Sequence, residues 1–237
     1  MATDESSSQA LDIGHATARI EELRSQIGTA VKPRLRGWLH FGAAPLAFIL
    51  GLVLLVITPE PELRLAVAIY LATTVLLFGV SASYHLGAGG QRMNAALNRL
   101  DHANIYLFIA GSYTPFAVAL TDQSLGWIML GLVWAIALIG VAVRVLWWKA
   151  PRWLVVSSYL ALGWVSILFL PAVYNAFGAM VVFLLLLGGL LYSVGAVVFA
   201  RRRPDPHPDW FGFHEVFHAF TIVAFLVQYV AICMVVT

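Results

Sequence analysis

The stretch Phe213-His214-Glu215-Val216-Phe217-His218 opens an apolar run that continues to Val236, long enough for one helix to cross a bilayer. Histidines four residues apart share a helix face and can hold one metal ion. The spacing His-Glu-x-x-His is also the zincin pattern, in which the imidazoles bind zinc and the glutamate is a general base. Ionisable side chains at the mouth of a membrane helix are costly, so they point to a functional site. One histidine there could simply cap a helix or meet lipid headgroups; two in register, with polar residues converging from elsewhere, favour a metal.

Composition places that stretch in a membrane protein. Hydrophobic residues make up 61% of the 237 and charged residues 11%, with a mean hydropathy of +0.85. A soluble domain of this size neither needs that much apolar surface nor tolerates so little charge. Cys233 is the single cysteine, which excludes an intrachain disulfide and a thiolate metal site. Histidine and carboxylate must supply any ligands. The first residues are polar and acidic, unlike a signal peptide.

Taken in order, residues 1–37 read as a polar cytoplasmic segment, with Ile20, Leu23 and Ile27 spaced for a short amphipathic helix. Residues 38–237 read as an all-α, seven-transmembrane helix bundle, with spans near 38–57, 63–85, 101–120, 125–146, 153–171, 177–200 and 213–236. With these spans, thirteen of the fourteen basic residues fall on one side and only Arg64 on the other. The positive-inside rule then sets the N-terminus in the cytoplasm and the C-terminus outside. The chain is expected to be an integral, multi-pass membrane protein, of the inner membrane in a bacterium.

This topology gathers the polar residues in one layer. His85 ends span two, Asp101 begins span three, and His214 and His218 begin span seven. Zinc held by three nitrogens, with water in the fourth position, is the layout of catalytic sites. Ser81 lies one turn deeper than His85 on the same face, where its hydroxyl could orient a water or a substrate carbonyl, or bond its own helix backbone. Asp101 is a general base, a water-bridged partner of the metal, or a helix cap. Glu215 could face the metal or a neighbouring helix. His40 and His102 read as packing or interfacial residues, and His207 as part of the exposed connector Pro204-Asp205-Pro206-His207-Pro208.

Three motifs carry a resemblance: Ser81-Ala82-Ser83-Tyr84-His85; Leu100-Asp101-His102-Ala103-Asn104-Ile105 running on to Gly111-Ser112-Tyr113-Thr114-Pro115-Phe116; and Phe211-Gly212-Phe213-His214-Glu215-Val216-Phe217-His218. In this order they resemble the hemolysin III proteins, bacterial relatives of the progestin and adipoQ receptors within a wider superfamily of membrane zinc hydrolases. The resemblance implies seven helices around a zinc near the cytoplasmic face. His85, His214 and His218 would be its ligands, with Asp101 acting through water and Ser81 nearby. Where the receptors carry glutamine after the first histidine of the last span, this chain has Glu215.

The expected function is a zinc-dependent hydrolase of a lipid amide or ester. Membrane lipid is the expected partner, and nucleic acid is not one. A non-enzymatic lytic or sensor protein with structural zinc is the alternative. An intramembrane metalloprotease ranks last, because such enzymes draw their aspartate from a helix after the motif and no acidic residue follows Glu215. The charge bias makes a direct prediction. A reporter fused after Thr237 should read the outside, and one placed within Arg201-Arg202-Arg203 the cytoplasm; the opposite pair of readings would overturn the layer in which the histidines were placed.

Overall fold

A computed structural model of the chain describes Arg19 and residues 33–237 apart from 88, 121–123 and 148. The expected amphipathic helix before residue 33 lies outside the described residues, apart from Arg19. Among them the fold is helical, with no strand and one isolated bridge between His207 and Phe211. The helices are α1 (Trp38–Ile57), α2 (Pro61–Leu86), α3 (Gln91–Ala119), α4 (Leu125–Leu146), α5 (Arg152–Trp164), α6 (Leu170–Arg201) and α7 (Phe213–Val236), with a 3₁₀ stretch, Val165–Phe169, between α5 and α6. Five stretches are long and apolar enough to cross a membrane: α1, α2, α4, the continuous Arg152–Arg201 and α7. Large apolar side chains face outward along the bundle, among them Val56, Leu146 and Leu168. Water would not tolerate so much exposed apolar surface on a monomer, and lipid does. The chain is therefore a polytopic membrane protein.

Two breaks shape the 50-residue stretch Arg152–Arg201. At the first, the Tyr113 hydroxyl donates to the Gly163 carbonyl and accepts the Ser166 N–H at 2.8 Å, taking over backbone groups that the 3₁₀ stretch releases. At the second, Gly178 adopts φ 82°, ψ 179°, a conformation that a residue with a Cβ rarely reaches. The chain folds back there. Trp164 Nε1 donates to Ser193 Oγ at 3.0 Å although the two are 29 residues apart, a separation of about 43 Å in a straight helix.

α3 is the hub, packing against α2 and α4 and also touching α5 and α7. It is too polar to count among the five apolar stretches, yet residues from Ala103 to Ala117 are largely buried. Its polar groups find partners inside the protein. Asn104 Nδ2 donates to the Leu76 carbonyl at 3.1 Å, and Thr114 donates to the Ala110 carbonyl at 2.8 Å while accepting Trp134 Nε1 at 3.1 Å. α3 also opens ten residues before Asp101, which the sequence reading had at the start of a helix. Asp101 is consequently an interior helical residue, and the cap role considered for it falls away.

The α3–α4 contact supplies a packing test. A Cβ at Gly126 would lie 2.4 Å from the Ala117 carbonyl oxygen and 2.6 Å from the Leu120 backbone, whereas nothing lies within 4 Å of one at Gly131. Gly126→Ala should cost about 1–3 kcal/mol, read as a lower thermal midpoint in detergent. Gly131→Ala, on the same helix, should leave the midpoint unchanged or raise it.

Candidate metal centre

Two helix ends carry the three histidines of the site. His85 sits in the last turn of α2, and His214 and His218 in the first two turns of α7. Their convergence depends on Gly37, the residue before α1, at φ 90°; a Cβ there would stand 2.8 Å from His85 Cβ. Only glycine meets both the backbone angle and the close approach.

Glu215 fixes the start of α7. It is completely buried; Oε2 accepts the Gly212 N–H at 2.8 Å, and Oε1 pairs with Arg36 Nε. The segment leading into α1 is held on the same loop. Arg34 and Leu35 N–H donate to the Asp209 and Trp210 carbonyls at 3.0 and 3.2 Å, and the Arg34 guanidinium lies 4.7 Å above the Trp210 ring. Asp205 Oδ1 accepts the Phe213 N–H at 2.8 Å. Both Glu215 oxygens are thereby committed to structure, which answers the question that the His-Glu-x-x-His spacing left open.

Ligand atoms of His85, His214 and His218 all lie within 4.8 Å of one another. His85 Nε2 and His214 Nε2 are 3.1 Å apart, close to the roughly 3.3 Å between two nitrogens each about 2.0–2.1 Å from a tetrahedral zinc. This donor set suits a borderline-soft divalent ion, and the three histidines could hold one. Asp101 Oδ2 stands 3.7 Å from His85 Nε2, too far for a hydrogen bond and suited to a bridging water. Buried Ser81 interacts through its hydroxyl with the Asp101 carboxylate. All five residues that the sequence singled out therefore meet.

The other described histidines divide. His102 Nδ1 lies 2.8 Å from the Asn98 carbonyl and stays outside the trio, and His207 is exposed in its loop. His40 is buried at the site instead, with its ring stacked on His218 at 3.6 Å between centroids and 13° between planes. Its place at the same layer as His85 was visible in the sequence; its inward direction was not. Arg144 was also missed. Near the end of α4, it is buried in the wall of the same cavity.

That cavity measures about 520 Å³. His40, Ser81, Asp101, His214 and His218 line its polar end. Leu77, Phe108, Ile109 and Phe116 extend its apolar wall. From Asp101 to Phe116 along α3 is about 22 Å, most of the roughly 30 Å hydrocarbon core of a bilayer.

Residues 29–229 match the family model described as Haemolysin-III related. The chain is 30% identical to Hemolysin-3 of Bacillus cereus over 187 residues, covering 76% of this chain and 84% of that protein. It is also 30% identical to the Hemolysin-3 homolog of Bacillus subtilis over 151 residues, 63% of this chain and 67% of the relative.

Metal content tests the geometry. His214→Ala or His218→Ala should abolish stoichiometric metal in the purified protein, because removing one of three protein ligands leaves the others poorly held. His102→Ala and His207→Ala should retain it. Full metal content in both α7 variants would move the site elsewhere.

Proposed function

The chain belongs to the haemolysin-III related family, and within it we propose that this protein is a zinc-dependent membrane hydrolase acting on a lipid amide or ester. The observation that carries the reading is the meeting of three histidine nitrogens with Asp101, where Asp101, His214 and His218 line a cavity that is mostly apolar. In this reading the fold-back at Gly178 turns Arg152–Arg201 into two crossings and α3 adds another, giving seven, with the N-terminus cytoplasmic and the C-terminus outside.

His85, His214 and His218 would hold the zinc. When bound, zinc polarises a carbonyl oxygen and brings the pKa of a water down to about 7. The apolar wall takes the acyl chain and keeps bulk water from the scissile bond. Asp101 Oδ2 accepts a proton from the attacking water, whose oxygen bonds to the carbonyl carbon. The C–N or C–O bond then breaks, and Asp101 passes the proton to the departing nitrogen or oxygen. Ser81 positions the carboxylate. The products are a fatty acid and an amine or alcohol.

A second reading, a lytic or sensing membrane protein with structural metal, draws on the names of the relatives, both hemolysin-3. A zincin-type protease fits less well, because Glu215 is bound at both oxygens and is not free to act as base.

Asp101→Asn separates the first two. It preserves shape while removing the proton acceptor, so zinc content and thermal midpoint should stay near the parent values while lipid-amide or ester hydrolysis in liposomes falls about 10²–10⁴-fold. Wild-type protein that carries zinc but cleaves nothing in a broad ceramide and lipid-ester panel would favour the structural reading.

A further inference from the structure

Gln228 is the only amide side chain of α7. It stands ten residues past His218, a rise of about 15 Å. It also faces inward. Val223, Val230 and Met234 form the half-exposed, lipid-facing side of α7. At 100° per residue Gln228 lies about 140° round the helix from Val223 and about 20° from Thr221. Thr221 and Gln228 both line the cavity that His214 and His218 line. On the neighbouring α6, Gly188 leaves room for the side chain, since a Cβ there would come within 3.4 Å of Gln228 Cγ.

The amide makes no hydrogen bond among the described residues. Oε1 is enclosed without a partner, whereas Nε2, equally unpaired, is not enclosed. Because lipid lies on the opposite side of α7, the open nitrogen meets the cavity. An amide left unpaired in apolar surroundings destabilises a fold, and hydrocarbon offers it no acceptor. Other polar side chains that α6 brings to the cavity are taken or hidden. Ser193 Oγ donates to the Gly189 carbonyl at 2.7 Å and accepts Trp164 Nε1 at 3.0 Å, and the Tyr192 hydroxyl is enclosed. A lone water beside Nε2 is thus poorly supplied with the roughly two to four polar partners that hold one.

We infer that Gln228 recognises an oxygen carried partway along the acyl chain, a mid-chain hydroxyl that accepts from the Nε2 N–H while the carbonyl end lies at the histidines. This rests on the zinc-hydrolase reading and names its substrate class: amides or esters of hydroxylated fatty acids. A plain chain would leave the amide unpaired, which is how a site built for a hydroxyl rejects an analogue lacking it.

Oleic acid and ricinoleic acid, which is oleic acid with one mid-chain hydroxyl, are the matched probes. Displacement of radiolabelled oleic acid from full-length protein in detergent gives an affinity for each. Comparing the ratio of the two affinities between parent and variant cancels their unequal partition into the micelle. Gln228→Met keeps the length of the side chain and removes the N–H, and Gln228→Leu removes it with a different shape. The preference for ricinoleic acid should be about tenfold greater in the parent than in either variant. Both variants should keep the parental metal content and a thermal midpoint at or above the parent's, because an unpaired amide has gone. In turnover, the ricinoleic amide should show a lower KM than the oleic amide in the parent alone, with kcat alike. The same ratio in parent and variants overturns the proposal, and a lowered midpoint alongside it would make Gln228 a structural amide. Protein that cleaves neither amide fails the hydrolase reading separately, and the ratios, measured on free acids without turnover, still decide the role of Gln228.

Discussion

A single buried carboxylate holds the site-bearing end of the bundle together. Glu215 cannot be solvated where it lies, so its two oxygens require partners from the protein. One partner is the backbone that starts α7, and the other is Arg36, just ahead of α1. The first contact sets where α7 begins, and with it the angular position of His214 and His218. The second draws the leading segment across, placing Gly37 against His85. A charge that a reader of motifs would assign to chemistry is used to bring the first and last helices into register. The cost of breaking it is high because the surviving partner would be left without its counter-charge.

The same economy of polar groups governs α3. Lipid offers no hydrogen bonds, so a helix carrying Asp101, His102, Asn104, Ser112 and Thr114 is stable only when surrounded by other helices. Its position at the centre follows from its polarity. Once there it contributes Asp101 to the polar end of the cavity and Phe108, Ile109 and Phe116 to the apolar wall.

Much of the architecture was legible because the bilayer imposes a ruler on the sequence. Long apolar runs located α1, α2, α4 and α7, and the two histidines on one helical face pointed to the cluster with His85 that could hold a metal ion. What escaped was anything decided between elements. The early start of α3 at Gln91 was hidden because Gln91, Arg92, Asn94, Asn98 and Arg99 interrupt the apolar residues of 91–100, and so mixed a stretch has no hydropathy signal. His40 and Arg144 were placed at the correct end of their helices, but whether such a side chain turns inward depends on the packing of neighbours that periodicity in an all-apolar helix does not report. Glu215 was ambiguous for a related reason: 100° per residue fixes its direction relative to His214 and says nothing about Arg36, 179 positions away.

The turn at Gly178 bears on how such a chain enters the bilayer at all. Between Arg152 and Arg201 the sequence contains no lysine, arginine, aspartate, glutamate or histidine. Each lysine, arginine or aspartate taken to the middle of a membrane helix costs about 2.5–3.5 kcal/mol on insertion scales, and none has to be carried here. On the seven-crossing reading, the two limbs can slip in together as a preassembled hairpin, with uncharged Tyr174-Asn175-Ala176-Phe177 leading the way. On the same reading the arginines at both ends would stay behind on the side of synthesis and act as the stop on either limb.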